Sequence, residues 1–316
     1  MGKGSIFSFL LAENIRDTEA IISEFPVRNN FGKYTLCTDA TTPYASASCG
    51  NVHCGIFGLA VNVITGSSTD LPREIAEKCE SISEVLEYEK QLGGKYLILF
   101  QTGEQYYALG DATCSIPIFY NTTGSFLCAD NGYSIVQIKN YPVDKEYGAI
   151  RNNGDISQAM PYDITPYRQI RQLIPNHYLD LNRQTAVRFL NSRQPQKELS
   201  VTEAADAVLP MIENLLAFYL QKYKIYCPIT AGRDSRVVLS FLLKSKKDFC
   251  CYTIRHPEHH AQAQDITVPV ELCKKINIPH KLVEDVTVPH SLKEHMDRLL
   301  GEGQYSSRTL RIGQTI

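Results

Sequence analysis

The residues best suited to chemistry fall together at Ile229-Thr230-Ala231-Gly232-Arg233-Asp234-Ser235-Arg236. Thr230 and Ser235 offer hydroxyl donors. Asp234 offers a carboxylate that suits a hard cation such as Mg²⁺. Arg233 and Arg236 carry planar guanidinium forks that match phosphate oxygens in pairs. Small residues let the backbone come close to a ligand, and Gly232 can take φ > 0, where a side chain would clash. A turn of this composition suits an anion, above all a di- or triphosphate.

Two elements must position these groups. An apolar run, Ile225 to Ile229, comes just before the turn. Just after it, Val237, Val238, Phe241 and Leu242 recur at three- and four-residue spacings, which predicts a helix. The order strand, tight turn, helix aims free backbone N–H groups at whatever lies above the helix start. An ordinary strand-to-helix turn with a glycine and an Asp cap is the plain alternative. A Walker loop is excluded, because the G-x-x-x-x-G-K-[ST] spacing and its lysine are absent.

Thr230-Ala231-Gly232-Arg233-Asp234-Ser235 resembles the S-G-G-x-D-S signature of the PP-loop ATP pyrophosphatases, as found in the asparagine synthetase family. Thr for Ser keeps the hydroxyl. Ala231 for the first glycine is a departure, and it weakens phosphate binding if that position needs φ > 0. By this resemblance Thr230, Ala231, Gly232, Asp234 and Ser235 bind ATP, Asp234 holds Mg²⁺, and Arg233 and Arg236 serve catalysis.

Composition narrows the class. The chain has 316 residues, which suggests two domains, and 43% of them are apolar, enough for sizeable cores. Lys+Arg number 32 against 34 Asp+Glu, so there is no electrostatic case for nucleic acid. No apolar run approaches bilayer length, and Glu13 interrupts the short stretch Ile6 to Ala12, so neither a membrane span nor a signal peptide is expected. Ten cysteines form no C-x-x-C pair. Several (Cys37, Cys128, Cys227, Cys250) sit in apolar runs, as buried free thiols do in a reducing cytoplasm. His256, Glu258, His259 and His260 form either a metal cluster or a polar loop. The loop is favoured, since no second ligand group has zinc-site spacing.

Along the first half, residues 5–11, 33–39 and 51–64 read as strands, 72–91 as one helix, and 96–101, 105–109, 116–120 and 124–129 as short strands between turns. This is a layered α/β or α+β pattern. The family resemblance extends here. Leu92 to Leu99 looks like its "L-x-G-x-F-A-F" strand, and Asp111 to Tyr120 is similar to its "D-R-x-G-x-K-P-L-Y-Y" hairpin. Phe126 to Asp130 stands where that family has "F-A-S-E", and Ile170 to Leu179 looks like its "I-x-x-L-P-P-G-H-Y-L" strand. The resemblance implies an Ntn-type glutaminase-like domain over residues 1–190. In that family an N-terminal cysteine is nucleophile and its own amine is base. Gly2 follows Met1 here, so that chemistry is not expected. The rival is Cys54-Gly55-Ile56-Phe57-Gly58, which reproduces the family's "C-G-I-F-G" start but lies too close to Gly93 and behind strand-like sequence.

Leu190 to Leu199 reads as a polar linker. Ser200-Val201-Thr202-Glu203 is a capping box opening a helix with Ala204, Ala207, Val208, Met211, Leu215 and Phe218 on one face and a kink at Pro210. Beyond the loop helix come a strand at 249–254, a helix at 264–276 and a strand at 279–283. Alternation of this kind predicts a doubly wound parallel sheet over residues 198–316, with ligand beyond the carboxyl ends of its strands. The resemblance names this a PP-loop (HUP-like) domain, with Asp265 and His280 matching a later family stretch and an apparently short C-terminus. Gly301-Glu302-Gly303 is either part of a later Gly-rich element or a surface loop.

The resemblance implies an ATP-dependent amide-forming ligase that activates a small-molecule carboxylate as an acyl-adenylate and releases pyrophosphate. Ammonia or another amine is the acceptor, and a homodimer or a partner protein supplying the amine stays open. The alternative is an inactive nucleotide-binding or scaffold relative acting through a partner.

Overall fold

The computed structural model describes residues 7–18, 21, 25–146, 162–189, 198–255, 263–283 and 290. The histidine cluster at 256–260, the linker residues 190–197 and Gly301-Glu302-Gly303 lie outside the described residues. The described chain divides into two compact units. One holds residues up to Asn62 together with Ser67–Glu198, and the other holds Val63–Gly66 and residues from Leu199 onward.

The first unit contains two six-stranded antiparallel sheets. Strands β1 (Phe9–Ala12), β2 (Val27–Phe31), β3 (Tyr34–Thr38), β8 (Phe119–Asn121), β9 (Leu127–Ala129) and β10 (Ile170–Gln172) form one, in the order β10-β8-β9-β1-β3-β2. Strands β4 (Tyr44–Cys49), β5 (Val52–Asn62), β6 (Leu92–Thr102), β7 (Gln105–Gly110), β11 (His177–Asp180) and β12 (Thr185–Arg188) form the other, in the order β12-β11-β7-β6-β5-β4. Successive side chains of a strand point to opposite faces. On β1, Phe9 and Leu11 therefore enter the layer between the sheets, with Phe57, Leu97 and Leu99 from the second sheet. Leu10 and Ala12 enter an outer layer with Ile135 of α3 (Gly132–Lys139). On β6, Tyr96, Ile98 and Phe100 turn the other way, against α1 (Leu71–Lys78) and α2 (Ile82–Glu89). The unit is thus four layers, helix, sheet, sheet, helices. Both sheets are apolar on both faces, which is why their long strands read as near-continuous hydrophobic runs.

The helix expected over 72–91 is two. Cys79 takes an extended conformation, and Ser81 then opens α2 with a capping box whose second member is Glu84. Ser81 satisfies the start of a new helix better than it would sit inside an old one. In β6, Gly94 lies at φ 129, and a Cβ there would stand 2.1 Å from the Leu59 carbonyl oxygen. Only glycine allows the two strands to meet so closely at that point.

The second unit is a three-stranded parallel sheet, β13 (Ile225–Pro228), β14 (Phe249–Ile254) and β15 (His280–Val283), in that order. Helix α4 (Val201–Lys222) leads in, α5 (Arg233–Ser245) joins β13 to β14, and α6 (Gln264–Lys275) joins β14 to β15. The capping box at Ser200 and Glu203 is present, and α4 runs on through Pro210. The apolar face expected of α4 is only partly covered: Phe218 is buried but Val208 is 47% exposed. In α5 the buried residues are Leu239 and Leu242, while Val237 and Val238 are exposed. From Val237 to Leu243 every residue but Ser240 is apolar, so spacing alone could not choose the inner face of the helix. Among the described residues no helix is long and apolar enough to cross a membrane.

Candidate functional site

The turn between β13 and α5 lies at the carboxyl ends of the parallel strands, as the sequence predicts. Ile229 extends the β13 ladder by one residue, its amide donating to the Tyr252 carbonyl at 2.9 Å. The Ile229 carbonyl in turn accepts from the Thr253 hydroxyl at 2.8 Å. Thr253 Oγ1 also lies 2.9 Å from His280 Nε2. With the single hydroxyl proton given to Ile229, His280 must donate, which fixes the Nε2–H tautomer. Burial pushes the His280 pKa down, so the ring behind the loop is held neutral. Thr253 and His280 thereby fix where β13 ends and the turn begins.

The turn itself is open to solvent: Thr230, Gly232, Arg233, Asp234 and Arg236 are exposed, and Ala231 and Ser235 half-buried. Gly232 caps α5 from an extended conformation, φ −65 and ψ 159, and does not use the left-handed region open to glycine. A Cβ at Gly232 would lie 3.1 Å from Thr230 Oγ1, so the constraint there is close approach by the Thr230 side chain. Ala231 is not among the residues with positive φ, so the alanine costs this turn no backbone strain.

The expectation of free loop amides is corrected in part. Three of them are already engaged. The Thr230 amide donates to Ser235 Oγ at 3.2 Å, the Gly232 amide to Thr230 Oγ1 at 3.1 Å, and the Ala231 amide to Asp265 Oδ1 at 3.1 Å. The two hydroxyls therefore hold the loop in shape. The open donors begin one residue later. No side chain caps α5, so the amides of Arg233, Asp234 and Ser235 are left as helix-start donors without a side-chain partner.

The charged groups flank those amides. Arg236 Nε donates back to the Gly232 carbonyl at 3.1 Å, which holds its guanidinium beside the cap. Arg233 and Asp234 make no side-chain hydrogen bond or ion pair among the described residues. Asp234 lies in the first turn of α5, and Asp265 in the first turn of α6. Sequence reasoning matched Asp265 only to a family pattern. Its signal was an acidic residue opening the helix after the next strand, where a parallel sheet returns the chain to the same end.

No group of three or more His, Cys, Asp or Glu that could hold a metal ion occurs among the described residues. Mg²⁺ commonly takes one or two protein carboxylates and completes its shell with waters and phosphate oxygens, so the lone exposed Asp234 suits that mode and no all-protein cage. One hollow of about 440 Å³ is lined by residues 142–146, Arg168 and Gln169 and shares no residue with the turn.

In the first unit, Cys54 lies mid-strand in β5, opposite Ala47 and Phe100, and is fully buried. Burial pushes its thiol well above the ordinary range, the reverse of an activated nucleophile. Asp111 is used structurally: it accepts from the amides of Thr113 and Ser115 and shapes the hairpin after β7. All ten cysteines are free thiols.

No protein-family model matches the chain, and no curated protein matches it. Among solved structures it is similar to the glutamine phosphoribosylpyrophosphate amidotransferase of B. subtilis, complexed with ADP and GMP. Identity is 12%, with a TM-score of 0.29 over 82% of this chain and 54% of that one. The chain thus spans about half the length of that structure.

Proposed function

We propose that the second unit is a PP-loop nucleotide site of the asparagine synthetase type, serving an ATP-dependent, AMP-forming ligase that joins a small-molecule carboxylate to ammonia or another amine. The observation that carries this reading is the exposed, uncapped start of α5 at the strand ends. There the amides of Arg233, Asp234 and Ser235 have no side-chain cap, and Arg236 is held beside them by its bond to the Gly232 carbonyl. Thr230, Ala231, Gly232, Asp234 and Ser235 would hold the phosphates, and Asp234 would hold Mg²⁺. Bound ATP supplies a leaving pyrophosphate that activates the carboxylate. The chain's own part is electrostatic: oriented N–H dipoles and Arg233 or Arg236 oppose the charge that develops on that leaving group. In this reading the first unit is an Ntn-like domain without glutaminase activity, consistent with the buried Cys54. The amine then arrives free, from a partner, or on the substrate, and the setting is cytoplasmic.

The test is pyrophosphate release from ATP with Mg²⁺ and ammonium, screened across carboxylate acceptors. Asp234→Ala is expected to abolish Mg²⁺-dependent ATP binding and turnover. An unchanged affinity removes Asp234 from the site. The three engaged loop amides favour a second reading, a nucleotide-binding or scaffold relative without turnover. ATP binding with no pyrophosphate release selects the binding module. The absence of any thermal shift with ATP and Mg²⁺ selects the scaffold.

A further inference from the structure

We infer that Asp265 is a carboxylate latch on the turn, which an incoming phosphate must displace before the loop can close around it. This rests on the nucleotide reading above and adds to it a residue that sets anion affinity. Two of the three engaged loop amides are satisfied from within: Thr230 by the Ser235 hydroxyl and Gly232 by the Thr230 hydroxyl. Hydroxyl groups rotate and can share or release a donor at little cost. The third is different. The Ala231 amide reaches out of the loop to a carboxylate on another helix, 34 residues on. Among the described residues, Asp265 is the sole side chain from beyond α5 that accepts a hydrogen bond from any of the amides of Thr230, Ala231 and Gly232.

A carboxylate oxygen at an amide is the chemical equivalent of the phosphate oxygen this loop is proposed to hold. The latch keeps Ala231 fixed when no anion is present. It also sets a negative charge where an anion must arrive, so the anion has to replace the hydrogen bond and overcome the repulsion. Asp265 is therefore a positioning residue, touching the loop and not the reacting atoms. The start of α6 steadies the carboxylate in its place, since a negative charge is favoured in a helix's first turn.

The test uses the full chain, inorganic pyrophosphate as probe, and two variants. Asp265→Asn keeps an acceptor oxygen and loses the charge. Asp265→Ala loses both. By calorimetry, affinity for pyrophosphate is expected to rise from the unchanged chain to Asp265→Asn and again to Asp265→Ala, roughly tenfold in all, the size of one exposed charge interaction. Hydrogen exchange at the Ala231 amide is expected to quicken in Asp265→Ala and to slow again when pyrophosphate is added. Equal or weaker binding by both variants, with the unchanged chain still binding, overturns the latch and leaves the nucleotide reading standing. Pyrophosphate binding to none of the three overturns both. Melting temperatures of the two variants keep a folding defect apart from either result, and Asp265→Asn preserves the shape of the helix start.

Discussion

Asp130, at the end of β9, is a buried carboxylic acid whose described partners crowd onto one oxygen. Its Oδ1 accepts from the Ser8 hydroxyl at 3.2 Å, the Phe9 amide at 3.3 Å and the Asn131 side-chain amide at 3.3 Å. Hydrogen bonds to the charged form lower a carboxylate's pKa and burial raises it. These long bonds, with a further one from its own backbone, do not offset the loss of water, so burial prevails and the pKa is pushed from 3.8 up to about 7. The folded chain therefore holds this proton at pH values where the unfolded chain has lost it. The sign follows: the group costs the native state nothing below pH 4, stability falls as pH rises toward 7, and above that the loss is complete and constant. Asp130→Asn removes the ionisation and can keep the Oδ1 contacts. It is expected to flatten the pH dependence of the first unit's stability between pH 4 and 7. At pH 8 it should stabilise that unit by roughly 2–4 kcal/mol, because a tenfold change in a proton-binding constant is worth about 1.4 kcal/mol. Urea unfolding at pH 5 and pH 8 checks this, and equal pH slopes for both proteins would show that Asp130 is ionised in the fold.

Between residue and domain, the elements show which signals in the chain were local enough to read. The capping box at Ser200, the strand at 249–254 and the turn after Ile229 were legible, because each is specified by a few consecutive residues. β2 and β4 were not. Val27–Phe31 and Tyr44–Cys49 are edge strands with exposed, polar positions, and pairing with β3 and β5 makes them strands more than their composition does. The break at Cys79 was missed because the apolar spacing continues straight across it. In the candidate site, residue types were legible and partners were not: nothing near Ala231 in sequence points to Asp265. The inner face of α5 illustrates the same limit, since apolar residues at 237, 238, 239, 241, 242 and 243 leave the period without a clear phase. The structure turns Leu239 and Leu242 inward, against Cys227, Phe249 and Cys251. Leu239→Ala should then cost about 2–4 kcal/mol through the cavity it leaves. Val238→Ala, on the outer side, should change stability by less than about 0.5 kcal/mol. Denaturant midpoints of the two variants decide it, and a larger loss at Val238 would reverse the assigned face.

At the scale of the whole chain, each described core draws its side chains from one unit. The layer between the two sheets of the first unit holds eighteen buried residues, and the outer layers add the sets around α1, α2 and α3. The core of the second unit holds seven, from β13, β14, the start of the turn, α5 and α6. Hydrophobic stabilisation grows with the apolar area buried, and a small core leaves less surplus over chain entropy. The second unit is therefore expected to unfold first, in its own transition, ahead of the sheet sandwich. Phe57 is a sensitive reporter of the first unit, since its ring is fully buried and lies 5.6 Å from that of Phe9 across the sheet interface. Phe57→Ala should lower the upper transition, by an amount equivalent to about 3–5 kcal/mol, and leave the lower one in place. ATP with Mg²⁺, if held at the turn before α5, should raise the lower transition alone, because a ligand stabilises only the state and the unit that bind it. Calorimetric scans of the two proteins with and without nucleotide separate these effects. A single transition that Phe57→Ala and nucleotide both move would mean that the two cores melt as one, and the stability of the turn would then be set by the sandwich as much as by its own small sheet.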